Sequence, residues 1–156
     1  MRGVDREAMV AQEKKDFTLG LEAFSRILKG REWNLSPTEI REHYDATLSV
    51  SGREFVVELK DRSQSLDYGT YPILKEKYDY LMELDDGSVD GILYMVFNDV
   101  DNSFNLYNLS KINLSDCIVR PWRIRKYQMS EDDHIEEQMT IFLPFKLIAC
   151  RGYFSE

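Results

Sequence analysis

The chain has 156 residues, of which 43% are hydrophobic and 31% charged, a composition typical of one folded domain over residues 1–156 and not of a disordered chain. The formal net charge of −8 argues against a protein that holds nucleic acid by overall attraction, so any such binding requires a local basic surface. No apolar run reaches the roughly 18 residues of a membrane span and the N-terminus lacks the apolar stretch of a signal peptide, so we expect a cytoplasmic protein without a membrane partner.

The first half of the chain predicts a helix, a helical turn and a hairpin. Apolar residues recur at helical spacing over residues 5–29, at Val10, Phe17, Leu21, Phe24 and Leu28. Ser36 before Pro37 has the pattern of an N-cap and first helical position, which predicts a short helical turn. The segment 44–60 then reads as two strands joined at a Ser-Gly turn.

The second half predicts one more helix and four strands. The helix is expected to begin near Pro72 and to run to Leu84. "DGILYMVFND" has the continuous apolar pattern of a buried strand, with "FNLYNLSKI" as its partner. Strands near 117–128 and 138–148 follow, joined by the acidic loop "SEDDHIEE". This order predicts an α/β sandwich of two or three layers.

The hairpin "DATLSVSGREFVVELKD" places three ionisable residues together. If Ser51 and Gly52 form a two-residue turn, Asp45 lies directly across from Glu58, and Lys60 points to the same side. The opposite face is apolar and is expected to be buried, with Ala46, Leu48, Val50, Phe55, Val57 and Leu59.

Two adjacent carboxylates repel each other unless a cation lies between them, and oxygen ligands suit Mg²⁺ or Mn²⁺. A lysine beside such a metal can orient a water or stabilise charge on a phosphate. The pattern therefore indicates metal-assisted phosphodiester hydrolysis. The alternative interpretation is a surface hairpin with a Glu-Lys ion pair.

In its motif and element order, the segment of about residues 8 to 98 resembles the PD-(D/E)XK nuclease superfamily, and most closely the small archaeal Holliday-junction resolvases and related phage nucleases. In that family a helix precedes a hairpin bearing the Asp and the Glu-x-Lys, and a second helix leads into a further strand; here Tyr44 replaces the Pro that often precedes the Asp. The resemblance implies a restriction-endonuclease-like sandwich, a central mixed sheet flanked by helices. It implies a Mg²⁺-dependent DNA nuclease that forms a homodimer, with Asp45 and Glu58 as metal ligands and Lys60 assisting the water or the phosphate.

The resemblance also implies an acidic residue on the first helix and substrate contacts from the second. Glu13 shares the apolar stripe of the first helix and is preferred, and Glu22 is the alternative because its distance from Asp45 is closer to that usual in resolvases. On the second helix, Lys75 and Lys77 are the candidates for contacts with the scissile phosphate.

One dense basic segment, "RPWRIRK", lies outside this motif. It combines Arg120, Arg123, Arg125 and Lys126 with Trp122, and it reads either as a solvated face or as a DNA contact. Cys117, Cys150, His43 and His134 lack metal-ligand spacing, and the cysteines are expected to be reduced core thiols. The alternative function is a non-catalytic nuclease-fold domain that binds a protein partner.

Overall fold

The computed structural model describes residues 6–38, 44–125 and 135–154, which form an α/β fold with two helices and two sheets. The elements in chain order are α1 (Arg6–Ile27), β1 (Trp33–Pro37), β2 (Ala46–Val50), β3 (Arg53–Arg62), β4 (Thr70–Leu74), α2 (Lys75–Glu83), β5 (Gly91–Asn98), β6 (Ser103–Asn108), β7 (Ile118–Arg125), β8 (Ile135–Pro144) and β9 (Cys150–Tyr153). Among the described residues, no helix combines the length and the apolar character needed to cross a membrane.

The larger sheet has six strands in the order β1-β2-β3-β5-β6-β9 and is mixed. Strands β3 and β5 run parallel, and every other neighbouring pair is antiparallel. The parallel pair is possible because the chain between β3 and β5 crosses over through β4 and α2. The second sheet is antiparallel, in the order β4-β8-β7.

Two hydrophobic cores lie on opposite faces of the larger sheet. On one face α1 contributes Phe24 to a core that includes Leu59 of β3. On the other face Tyr94 of β5 belongs to a core with Leu81 of α2 and Ile141 of β8. Because both faces are covered, β5 is buried along its whole length, as its continuous apolar sequence predicts.

The helix α1 turns part of its predicted apolar stripe toward the sheet. Phe24 is buried, and Phe17 and Leu28 pack against the same core. Leu21 is 38% exposed and Val10 42% exposed, so these two members of the stripe were wrong. The buried side also includes Gly20 and Ala23. A Cβ at Gly20 would lie 3.3 Å from Leu35 and 3.4 Å from Leu59, so the helix lies close to β1 and β3 at this point.

Two predicted helix starts are strands in the structure. Ser36 and Pro37 belong to β1, where Leu35 is buried and the strand pairs with β2. The remainder of that predicted turn, residues 39–43, lies outside the described residues. Pro72 belongs to β4, and α2 begins at Lys75, so in both places strand pairing overrides a local helix-start signal.

The remaining predicted strands are present with shifted bounds. The hairpin strands, β5 and its antiparallel partner β6 are confirmed. Strand β8 begins at Ile135, so part of the predicted acidic loop is strand. Cys117 and Cys150 are free and half-buried, whereas His43 and His134 lie outside the described residues.

Candidate functional site

The hairpin β2–β3 has the register that the sequence predicts. Val50 pairs with Arg53 and Ala46 with Val57, which places Asp45 and Glu58 as the next opposed positions. Ser51 and Gly52 have φ values of 51° and 83°, the left-handed conformation that a tight hairpin turn requires at both central residues. The turn therefore determines that Asp45 and Glu58 face each other, although both lie about five residues, or roughly 17 Å, from it.

Asp45 and Glu58 form a half-buried carboxyl pair where the hairpin opens. The amide of Leu59 donates a hydrogen bond of 2.7 Å to Asp45 Oδ2, which fixes one carboxyl group. The Glu58 side chain is 13% exposed, and its Oε1 is buried without a hydrogen-bond partner among the described residues. An unsatisfied buried oxygen is costly, so this atom lies where a cation or a donor would be stabilising.

Burial disfavours the state in which both carboxyl groups of this pair are ionised. It raises the pKa of Glu58 to about 8, and the neighbouring charge of Asp45 adds to the effect. Burial also raises the pKa of Asp45, although the bond from the Leu59 amide and the charges of Lys77 and Lys60 oppose that rise. The pair therefore favours a state with one negative charge over a state with two when no cation is present.

The cation in contact with the pair comes from α2. Lys77 Nζ lies 3.5 Å from Glu58 Oε2, and its charge lowers the pKa of both carboxyl groups. Lys60 is exposed, and its charge acts on the same two groups more weakly than that of Lys77. Lys75 instead makes an ion pair of 2.9 Å with Asp79, one turn along its own helix. Of the two lysines predicted to bind substrate, only Lys77 touches the carboxyl pair.

On α1, Asp16 is the acid whose pKa is raised by the charge of Asp45, and it was not identified from the sequence. Burial raises the pKa of Asp16 to about 6, and the charges of Asp61 and Asp45 contribute. Asp16 accepts a hydrogen bond of 2.8 Å from Gln12, which is also 3.3 Å from Asp61. The spacing of Asp16, Gly20 and Ala23 on one helical side is the signal that could have found it.

The two predicted acids of α1 point elsewhere. Glu13 is exposed. Glu22 is exposed and pairs with Arg26 at 2.9 Å. Arg26 in turn donates to the backbone carbonyls of Tyr153 and Phe154, so Glu22 belongs to the contact between α1 and the end of β9.

The basic segment contributes to a groove beside the carboxyl pair. This groove, here called the β3–β7 groove, has a volume of about 750 Å³ and is lined by Lys60 and Arg62 of β3 and by Arg120 and Trp122 of β7. Arg123 is exposed and, by strand alternation, points to the other side of β7. The side chain of Arg125 and all of Lys126 lie outside the described part of the chain.

Within the described ranges, no group of three or more His, Cys, Asp and Glu side chains is arranged to hold a metal ion. The carboxyl pair offers two carboxyl groups to a cation, and the charge of Asp45 also raises the pKa of Asp16. Comparisons with models of protein families, with curated proteins and with solved structures found no match to this chain.

Proposed function

We propose that the protein is a Mg²⁺-dependent nuclease that hydrolyses phosphodiester bonds in DNA. The observation that carries the proposal is the half-buried pair of Asp45 and Glu58, in which Glu58 Oε1 has no hydrogen-bond partner among the described residues and the pKa of Glu58 rises to about 8. Carboxyl groups with strongly perturbed pKa values cluster at functional sites.

The donor set fits Mg²⁺ or Mn²⁺. Mg²⁺ is commonly held by one or two protein carboxylates, with waters and substrate phosphates completing its oxygen ligands. Asp45 and Glu58 supply that number, and the unsatisfied Glu58 Oε1 is an available ligand atom. A bound metal would supply polarisation of the phosphate and a more acidic water.

The protein groups around the pair divide the remaining tasks. Lys77 stabilises the ionised form of Glu58, which is the form that binds a cation. The Leu59 amide fixes the orientation of Asp45. Lys60, exposed on the same side of β3, is placed to orient a water or a phosphate oxygen and to stabilise negative charge that develops there.

The element order supports a restriction-endonuclease-like sandwich and membership of the PD-(D/E)XK superfamily. Helix α1 precedes the hairpin β2–β3, and α2 leads into β5, which runs parallel to β3. This is the order expected from the resemblance in the sequence. The central sheet is mixed and has helices on both faces.

The test compares cleavage by the parent with cleavage by Asp45→Asn, Glu58→Gln and Glu54→Gln. Glu54 is an exposed acid on the same strand as Glu58, so it is the matched control. Labelled linear, circular, single-stranded and four-way DNA are incubated with each protein in Mg²⁺ and in Mn²⁺. We expect the first two variants to lose cleavage and the control to keep it.

Metal affinity is measured on the same proteins by calorimetry, and folding by thermal melting. If Asp45→Asn and Glu58→Gln cut DNA as fast as the parent, the pair is not the active site. If the folded parent neither binds metal nor cleaves any of the four substrates, the non-catalytic, partner-binding alternative replaces this proposal.

A further inference from the structure

The β3–β7 groove has two walls of different origin. One wall is the end of β3 and the segment after it, with Lys60, Arg62 and Tyr68. The other is the face of the three-stranded sheet that turns away from its core, with Arg120, Trp122 and Phe142. Its volume of about 750 Å³ is in the range of pockets that take small ligands, so it accommodates about one or two nucleotides but not a double helix.

The groove is locally basic in a chain whose formal net charge is −8. Lys60, Arg62 and Arg120 line it, and the acid beside them, Asp61, is already paired with Lys15 at 3.0 Å. Arg62 donates a 3.3 Å bond to the Pro72 carbonyl, whereas its Nε is buried without a partner among the described residues. This charge is complementary to a phosphate backbone and opposite to that of the whole chain.

Aromatic rings stand beside these cations. Trp122 is half-buried and meets the Phe142 ring edge-on at 5.7 Å, which supports its orientation. The Arg120 guanidinium lies over the same Phe142 ring at 4.7 Å. Tyr68, on the opposite wall, is 72% exposed. Aromatic rings interleaved with Lys and Arg are the surface on which unpaired bases stack while their phosphates are neutralised.

We propose that the β3–β7 groove binds an unpaired segment of a DNA strand, with bases against Trp122 and Tyr68 and phosphates against Arg62 and Arg120. A duplex keeps its bases stacked inside and offers them to neither ring. Lys60 lines the groove and lies two residues after Glu58 on the same side of β3, so it connects the groove to the carboxyl pair. The inference rests on the proposed nuclease function for the identity of the strand as substrate.

The test measures binding separately from cleavage. Fluorescently labelled oligothymidylate, a matched duplex and an oligoglutamate peptide are titrated with the full-length Asp45→Asn protein in EDTA, and anisotropy is followed. We expect the oligothymidylate to bind more tightly than either other probe. In the same background Trp122→Ala and Arg120→Ala should each weaken that binding by about tenfold.

Two further variants serve as controls. Arg123→Ala removes the same charge from the other side of β7 and should change the affinity less than twofold. Trp122→Phe keeps an aromatic ring and should retain most of the binding, which separates a stacking role from a folding role. Equal binding of the duplex or of the peptide, or an affinity unaffected by Trp122→Ala, would overturn the inference.

The two proposals fail in different ways. If oligothymidylate binds through Trp122 but the parent protein does not cleave DNA, the groove assignment stands and the nuclease proposal fails. If the parent cleaves duplex DNA at a rate that Trp122→Ala does not change, and the protein binds no oligothymidylate, the nuclease proposal stands and the groove assignment fails.

Discussion

Asp16 is a half-buried acid of α1 whose pKa is raised in part by the charge of Asp45 in the carboxyl pair. Burial and the charges of Asp61 and Asp45 raise its pKa from an ordinary value of 3.8 to about 6. The folded protein therefore keeps a proton on Asp16 that the unfolded chain has released between these two pH values. The stability that this proton confers is fully present below pH 3.8 and is lost as the pH rises through about 6.

We predict that Asp16→Asn removes this pH dependence. Above pH 6 the variant should be more stable than the parent by about 1 kcal/mol, a value discounted for the solvent screening of a half-buried group. Urea unfolding of both proteins in EDTA between pH 4 and 8 measures the difference. Glu13→Gln removes an exposed acid of the same helix and should give the parental curve. Parallel curves for the parent and Asp16→Asn would contradict the prediction.

Lys77 and Lys75 are two residues apart on α2 but have different partners. Without Lys77, the pKa of Glu58 should rise above about 8, because its nearest cation is lost. Under the proposed function, Lys77→Ala should lower the cleavage rate at neutral pH by about 10²-fold and shift the rate–pH profile to higher pH.

The matched control is Lys75→Ala, since Lys75 pairs with Asp79 on the solvent side of the helix. Its rate and its pH profile should stay near those of the parent. Single-turnover cleavage across the pH range, on variants with parental melting curves, makes the comparison. An equal loss of rate in both variants, without a shift of the profile, would show that Lys77 does not act through Glu58.

At the scale of elements, the hairpin depends on its turn. Gly52 has a φ of 83°, and a Cβ there would meet nothing within 4 Å, so the cost of a side chain is purely a backbone cost. We predict that Gly52→Ala destabilises the protein by about 1 kcal/mol in urea unfolding. Ser51→Gly, which also suits the left-handed conformation, should stay within about 0.5 kcal/mol of the parent. A neutral Gly52→Ala would mean that the turn can adopt another form.

Local patterns predicted some elements and missed others for a physical reason. The hairpin register follows from turn residues and alternation that lie within one short segment, so Asp45 and Glu58 could be paired from sequence. Ser36 and Pro37 carry a helix-start pattern, but they lie in β1, which gains backbone hydrogen bonds from β2. The residues of β2 are not part of the local pattern at 36–37. Pro72 was misread for the same reason, since β4 pairs with the distant β8.

The contacts of the site that escaped prediction join distant segments. Lys77 lies 3.5 Å from Glu58 because α2 packs over the larger sheet, and Asp16 is held on α1, which packs on the opposite face. Whether the side of α1 with Leu21 or the side with Gly20 is buried depends on how closely the helix packs on the larger sheet. The β3–β7 groove combines strands from both sheets, and no sequence spacing measures that distance.

At the scale of the whole molecule, an acidic chain that binds DNA must use few contacts. The formal net charge is −8, and three cations, Lys60, Arg62 and Arg120, line the groove. Because each phosphate contact with a single strand contributes about −0.7 to the slope of log K against log salt, the two proposed phosphate contacts, Arg62 and Arg120, predict a slope of about −1.4 for oligothymidylate. Anisotropy titrations of Asp45→Asn over a range of salt concentrations measure it.

Arg120→Ala should reduce that slope by about 0.7, one contact's share. Arg123→Ala should leave the slope unchanged, because Arg123 points away from the groove. A slope that is equally insensitive to both substitutions would place the binding surface outside the groove.

The outer strands of the larger sheet bear on how the protein behaves at high concentration. An exposed strand edge is a template on which another chain can add, and natural proteins shorten or interrupt such edges. Here β1 ends at Pro37, which has no N–H to offer, and β9 has four residues. Both edge strands are therefore short, which limits the row of unpaired backbone groups that the strand of another chain could join.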